Sequence, residues 1–137
     1  MKINNVVVIG SGTMGGGIAA QLCNANIPVT LLDLKTEISK KARDIIFNSR
    51  PPLLLDKSKI NNIKVGNISD DFGTVKKADW IVEAVVEKID IKRSLYKKIF
   101  NERKKESIVS SNTSSIPIKV LAQNLSEKDK KDFCITH

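Results

Sequence analysis

Aromatic residues make up only 4% of this 137-residue chain, cysteine occurs twice and histidine once. With so few aromatics the bases of a nucleic acid would find little to stack on. The basic residues of the apparent helix faces (Lys40, Lys41, Arg43; Lys92, Arg93, Lys97, Lys98; Arg103, Lys104, Lys105) form no dense stripe either. The formal charge of +8 therefore reads as a solvated lysine-rich surface, or as a field that attracts an anionic small molecule, and not as a nucleic-acid footprint. Cys23 and Cys134 are too few for a disulfide framework and lack metal-ligand spacing, so no metal is expected and a reducing cytoplasm is the expected compartment. No apolar run approaches the ~20 residues that span a bilayer, and the first residues carry no signal-peptide pattern, so no membrane partner is expected.

What is present is ordinary globular composition, 41% hydrophobic and 28% charged, enough for one domain with its own core. Its most informative stretch lies near the start. Val6-Val7-Val8-Ile9 is a buried strand that runs into Gly10-Ser11-Gly12-Thr13-Met14-Gly15, a G-x-G-x-x-G loop, and then into a helix whose Met14, Ile18, Leu22 and Ala25 fall at helical spacing. Gly10 suits the tight turn, Gly12 lets the main chain approach a pyrophosphate, and Gly15 lets helix and strand pack closely. The helix start then aims unpaired N–H groups at the phosphates. An ordinary strand-turn-helix is the bland alternative.

The second strand, Val29-Thr30-Leu31-Leu32, closes with Asp33, about twenty residues beyond the glycine loop, where a carboxylate would bond the ribose hydroxyls of the adenosine half. That carboxylate would repel a 2′-phosphate and so favours NAD, although Lys35 nearby could accommodate NADP. A capping or turn aspartate is the alternative for Asp33.

Farther on, Glu37 to Arg50 carries Ile38, Ala42, Ile45 and Ile46 at helical spacing until Pro51-Pro52 stops it. Residues 53 to 62 read as a short helix or loop, and Ile63 to Val65 as a short strand. Ala78 to Val86 is another strand, and Asp90 to Phe100 a helix with Ile91, Leu95 and Ile99 on one face. Ile108 to Ser111 is a strand, Ser115-Ile116-Pro117 opens a helix, and Phe133 to Thr136 starts the last strand. This alternation predicts an α/β fold, a Rossmann-type doubly wound parallel sheet in the order 3-2-1-4-5-6, with ligands at the carboxyl ends of the strands. Gly10 to Gly15, Asp33, Glu87 with Lys92, Asn112 to Ser115, and His137 would then share one rim.

With those residues assembled, the chain resembles the NAD-binding domain of the L-3-hydroxyacyl-CoA dehydrogenase family. The resemblance rests on G-S-G-T-M-G-G-G-I-A at 10 to 19, D-W-I-V-E-A-V-V-E at 79 to 87 with Lys92, S-S-N-T-S-S-I-P-I at 110 to 118, and the closing C-I-T-H. It implies that Gly10, Ser11, Gly12, Thr13, Met14, Gly15, Asp33, Ala84, Glu87, Lys92 and Ser114 bind NAD, with Glu87 and Lys92 near the nicotinamide end. Ser114 would bond substrate, and Asn112 would shape the turn that presents it. Their alternatives are an exposed helix-start pair and helix-capping chemistry. His137 would be the general base on the 3-hydroxyl, a task that suits an imidazole titrating near neutrality. A purification tag also leaves a terminal histidine, but here a strand leads to it as in the family.

Two departures from the family stand out. The gap from Ser114 to His137 is slightly long, with Ser126 to Asp132 the natural site of the extra residues. The carboxylate that orients the histidine, a substrate-side asparagine and the helical domain that would make a homodimer would all follow His137. Residues 1–137 thus read as a Rossmann domain incomplete at its C-terminus. The resemblance implies oxidation of (3S)-3-hydroxyacyl-CoA by the intact protein in fatty-acid metabolism, with the chain alone binding NAD but turning over little. A related hydroxy-acid or sugar-acid dehydrogenase, or a non-catalytic nucleotide-binding module, are the competing readings.

Overall fold

The computed structural model describes residues 1–137. Six parallel strands, β1 (Val6–Ile9), β2 (Val29–Asp33), β3 (Ile63–Asn67), β4 (Trp80–Glu83), β5 (Ile108–Ser111) and β6 (Phe133–Ile135), form one sheet in the order β3-β2-β1-β4-β5-β6. This is the predicted order. β1 sits at the centre, Val6 pairing with Val29 on one side and Trp80 on the other, and all four of its side chains are fully buried. A strand enclosed on both faces cannot alternate apolar with polar, which is why it reads as an unbroken Val/Ile run.

Each face of the sheet has its own core. Val6, Val8, Leu31 and Val82 pack against Ala19, Ala20 and Cys23 of α1 (Thr13–Asn24) and Ala42 and Ile46 of α2 (Thr36–Asn48). Val7, Ile9, Ile81 and Val109 pack on the other side against Leu95, Tyr96 and Ile99 of α3 (Ile89–Glu102), with Phe133 of β6 closing the cluster. Each such aliphatic side chain, taken out of water, contributes roughly 1.5–3 kcal/mol before chain entropy is counted.

The helices rotate their faces away from the apolar spacing read in the sequence. On α1 the buried residues are Gly15, Gly16, Ala19, Ala20, Leu22 and Cys23, while Met14 is 52% exposed and Ala25 lies at the helix end. The first turns of α1 lie so close to the sheet that only small residues, Gly15, Gly16, Ala19 and Ala20, fit beneath them. A Cβ on Gly15 would stand 1.8 Å from the carbonyl oxygen of Gly10. On α2, Ser39 takes a buried position, its hydroxyl donating to the Gly66 carbonyl at 2.8 Å, and Ile38 and Ile45 are exposed. On α3 the buried stripe is Lys92, Leu95, Tyr96 and Ile99, displacing Ile91, which is 46% exposed.

Two boundaries differ for local reasons. The strand expected over 78 to 86 ends at Glu83, because the chain then bends over the glycine loop, with the Ala84 N–H donating to Ile9 O at 2.8 Å. The helix expected at Ser115 begins later, as the single turn α4 (Ile118–Leu121) behind Pro117. The Ser126 to Asp132 segment is itself built around a helical turn, α5 (Glu127–Lys130), capped by the Ser126 hydroxyl. Arg103 fastens this segment, donating to Asp132 at 2.8 Å and to the Ser107 carbonyl at 2.6 Å.

Candidate functional site

The carboxyl ends of β1, β2, β4 and β5 converge on one rim, and the glycine loop occupies its centre. Gly10 has φ +102°, in the left-handed region, and a Cβ there would meet the Ala84 carbonyl oxygen at 2.4 Å. At Gly12 a Cβ would meet nothing within 4 Å, so the main chain faces open space at the start of α1. No side chain caps that helix start and no acidic residue lies in its first turn, which leaves the N–H groups of Thr13, Met14 and Gly15 available to an anion.

Asp33 stands at the end of β2 beside this loop. Its Oδ2 accepts from the Ser11 N–H at 2.8 Å and the Ser11 hydroxyl at 2.5 Å, and its Oδ1 from the Leu34 N–H at 2.7 Å. A carboxylate has about four acceptor positions, so one on Oδ1 stays open for a hydroxyl. Gly10, Gly12, Asp33 and Ala84 share a cleft of about 710 Å³ whose walls include Leu34, Ile38, Ile68, Val85 and Ile91. An apolar slot, a diol acceptor and a bare helix start in one cleft fit the adenosine and pyrophosphate of a dinucleotide. Ile38 and Ile91, which the helix pattern assigns to the core, line this cleft instead.

Across the loop, the β4–β5 side of the rim is built from ions. Glu83, the last residue of β4, is fully buried and accepts from Lys92 Nζ at 2.7 Å, the Tyr96 hydroxyl at 2.5 Å, the Ser111 hydroxyl at 2.6 Å and the Val85 N–H at 2.9 Å. Lys92 Nζ also lies 2.7 Å from Glu87, so the ammonium is shared between a carboxylate that is 0% exposed and one that is 41% exposed. Glu87 in turn accepts from the hydroxyls of Thr113 at 2.7 Å and Ser115 at 3.0 Å. One connected network thus spans β4, α3, β5 and the turn after β5. No buried side-chain polar atom in the chain is left without a partner.

The titration behaviour follows from these contacts. Burial works to raise the Glu87 carboxyl, but the hydrogen bonds from Lys92, Thr113 and Ser115 together outweigh it and hold the group below the usual glutamate range. Burial, reinforced by the neighbouring Glu83 charge, pushes the Tyr96 phenol well above its ordinary value, so it stays a neutral donor.

Sequence reasoning brings Glu87, Lys92, Asn112, Ser114 and His137 to this rim, and the structure places them there in different states. Lys92 is enclosed, with its charge directed at the two glutamates. Ser114 is exposed on the turn, and the Asn112 N–H extends the sheet ladder to Glu83 O at 2.8 Å. It is Thr113 that shapes the turn, its hydroxyl accepting from the Ile116 N–H at 3.0 Å. His137 is exposed just beyond β6, where the Thr136 N–H donates to Ser111 O at 3.0 Å and keeps the chain on the same rim.

Sequence reasoning misses Glu83, Tyr96 and Ser111, and places Thr113 on the rim without giving it a role. A signal for them exists: Lys92, Leu95, Tyr96 and Ile99 follow the i, i+3, i+4, i+7 pattern of a buried face, and a glutamate ending a central apolar strand demands a partner. Asp79, which belongs to the same motif, serves the opposite end of the sheet. It accepts from the Asn4 and Asn5 N–H groups and pairs with Lys104, which together hold its carboxyl below the ordinary range.

Comparison with known proteins agrees with this geometry. The sequence profile of the 3-hydroxyacyl-CoA dehydrogenase NAD binding domain matches residues 5–137. A Rickettsia felis protein named as a fatty acid oxidation complex trifunctional enzyme is 40% identical over 143 residues, which cover 99% of this chain and 20% of that protein. A Deinococcus radiodurans protein named as a 3-hydroxyacyl-CoA dehydrogenase is 39% identical, with 100% of this chain and 42% of that protein covered. The crystal structure of 3-hydroxybutyryl-CoA dehydrogenase from Escherichia coli superposes with a TM-score of 0.87 at 27% identity, over 100% of this chain and 30% of that one. The chain therefore spans less than half the length of the curated relatives it matches. It belongs to the 3-hydroxyacyl-CoA dehydrogenase family, as an NAD-binding Rossmann domain.

Proposed function

We propose that the protein to which this domain belongs oxidises (3S)-3-hydroxyacyl-CoA to 3-oxoacyl-CoA with NAD, in fatty-acid β-oxidation or short-chain hydroxybutyryl-CoA metabolism. The observation that carries the reading is the placement of the His137 segment, tied by Thr136 to Ser111, beside the turn that presents Ser114. A base, a hydroxyl donor and a dinucleotide cleft then meet on one rim. The relatives named as 3-hydroxyacyl-CoA dehydrogenases support it.

NAD, when bound, supplies the hydride acceptor for C3 of the substrate. The chain does the rest. Asp33 takes a ribose hydroxyl, and the bare start of α1 with Gly12 takes the pyrophosphate. Thr13 and Met14 belong to that loop and open α1, and Glu87 with Lys92 lies toward the nicotinamide half. Ser114 donates to the substrate oxygen while His137 removes the 3-hydroxyl proton as the C3 hydride departs. The +8 charge favours the arrival of an anionic CoA ester. A homodimer in the cytoplasm is part of the same reading. The chain by itself is expected to bind NAD weakly and turn over poorly, since a base with no orienting carboxylate and a cleft lacking a wall lose preorganisation and water exclusion.

The test is NADH formation by the whole protein from (3S)- and (3R)-3-hydroxybutyryl-CoA. Activity should be confined to the S form and fall by about 10²–10⁴ in His137→Ala. Equal use of both enantiomers, or an unaffected His137→Ala variant, would refute the assignment.

A further inference from the structure

The ionic half of the rim does not balance its charge. Glu83 and Glu87 oppose the single ammonium of Lys92, while the other members, Tyr96, Ser111, Thr113 and Ser115, are neutral. The charged residues that follow Glu87 in the chain before Lys92, Lys88 and Asp90, are opposite in sign and exposed to water. Where the excess charge resides is decided by burial. Glu83 is sealed in and already satisfied by four donors, so the open end of the unit is Glu87, half-exposed at the carboxyl end of β4.

The dinucleotide's direction across the sheet follows from the other half. With the adenosine ribose at Asp33 of β2 and the pyrophosphate over β1, the remaining half runs toward β4 and β5, where this charge sits. A nicotinamide ring is cationic when oxidised and neutral when reduced. A fixed negative charge there stabilises one redox form and is nearly indifferent to the other.

We propose that Glu83 is a positioning residue: by drawing Lys92 inward it leaves a net negative charge facing the rim at Glu87, and this charge selects the oxidised, cationic nicotinamide over the reduced one. The inference rests on the NAD-dehydrogenase reading and concerns how that site weighs the two forms of its cofactor. Glu83 needs no contact with the cofactor to do this. Because Glu83 is sealed from solvent, its own charge is screened less than that of a surface carboxylate.

The experiment is a calorimetric titration of the whole protein with NAD⁺ and with NADH, wild type against Glu83→Gln. Glutamine keeps the shape and can still pair with Lys92, Tyr96 and Ser111, but it removes one charge. NAD⁺ affinity should fall about fivefold relative to NADH affinity. Tyr96→Phe is the structural control, since it removes a hydrogen bond from the same carboxylate without changing charge, and it should leave the ratio within about twofold. If Glu83→Gln does not fold, Glu87→Gln removes the same charge at the half-exposed end and should move the ratio in the same direction. Equal loss of both forms, or a Tyr96→Phe shift matching that of Glu83→Gln, would overturn the inference while leaving the NAD site standing. Failure of the wild-type whole protein to bind either form would remove the NAD site and the inference together.

Discussion

The two halves of the rim solve the same positioning problem with different materials. On the β1–β2 side, the surfaces are main chain, glycine and aliphatic walls, with one carboxylate steadied by Ser11. On the β4–β5 side, a buried lysine and two glutamates recruit the Tyr96 hydroxyl of α3 and further hydroxyls from β5 and the turn after it. The first half depends on what is left out, because a single methyl group at residue 10 or 15 would fill the space it needs. The second depends on what is paired, because the fully buried charges of Glu83 and Lys92 would each be prohibitive alone.

Removing the central cation should break that contrast most forcefully. Lys92→Met leaves the Glu83 carboxylate buried without a counter-ion and should cost about 3–5 kcal/mol in urea unfolding, with much of the loss recovered in the double variant Glu83→Gln/Lys92→Met. Should Lys92→Met unfold at the wild-type midpoint, the network would not be structural. On the glycine side, Gly15→Ala should cost about 3 kcal/mol, because its Cβ meets backbone that has no rotamer to yield. The same titrations would reveal a tolerant loop as an unchanged midpoint.

Asp33→Ala compares the halves in binding. NADH affinity, followed by Trp80 fluorescence, should weaken about tenfold or more, the largest binding loss among single side-chain truncations at the rim, and unchanged affinity would refute the ribose assignment. The smallest effect is a pH signature. Glu87 is held below its unfolded value, so its stabilisation is fully present above the ordinary glutamate range and disappears as pH falls through the depressed folded value. The stability gap between wild type and Glu87→Gln should therefore be widest near neutrality, at under about 1 kcal/mol given the group's exposure, and close under acid. A gap that widens on acidification would reverse the sign argued for Glu87.

The same contrast separates what is legible in the amino-acid sequence from what is not. The strand order, the glycine loop and Asp33 are legible because each is local: an apolar run, a turn requiring absent side chains, and a carboxylate at a strand end. Glu87, Lys92, Ser114 and His137 are assembled on the rim by topology and family likeness, but their states do not follow from either. Lys92 reads as one more lysine on a solvated helix. Its burial depends on Glu83 arriving from another strand, a nonlocal fact that periodicity registers only as an odd residue in an apolar stripe. The helix faces go astray for a related reason. Hydropathy ranks Met14 and Ile91 as core residues, whereas close approach to the sheet admits glycine and alanine on α1, and charge pairing draws lysine inward on α3.

The contact between Gly10 and the Ala84 carbonyl has a further consequence for anyone redesigning the cofactor preference. Residues 33 to 35 are the easier segment to exchange, since the Asp33 carboxylate is bonded only by Ser11 and Leu34. The loop glycine offers no such freedom. It is wedged against the Ala84–Val85 peptide, a main-chain contact that no choice of side chain at residue 84 relieves, so a clone that adds a side chain at residue 10 must displace that peptide and with it the Val85 N–H that bonds Glu83.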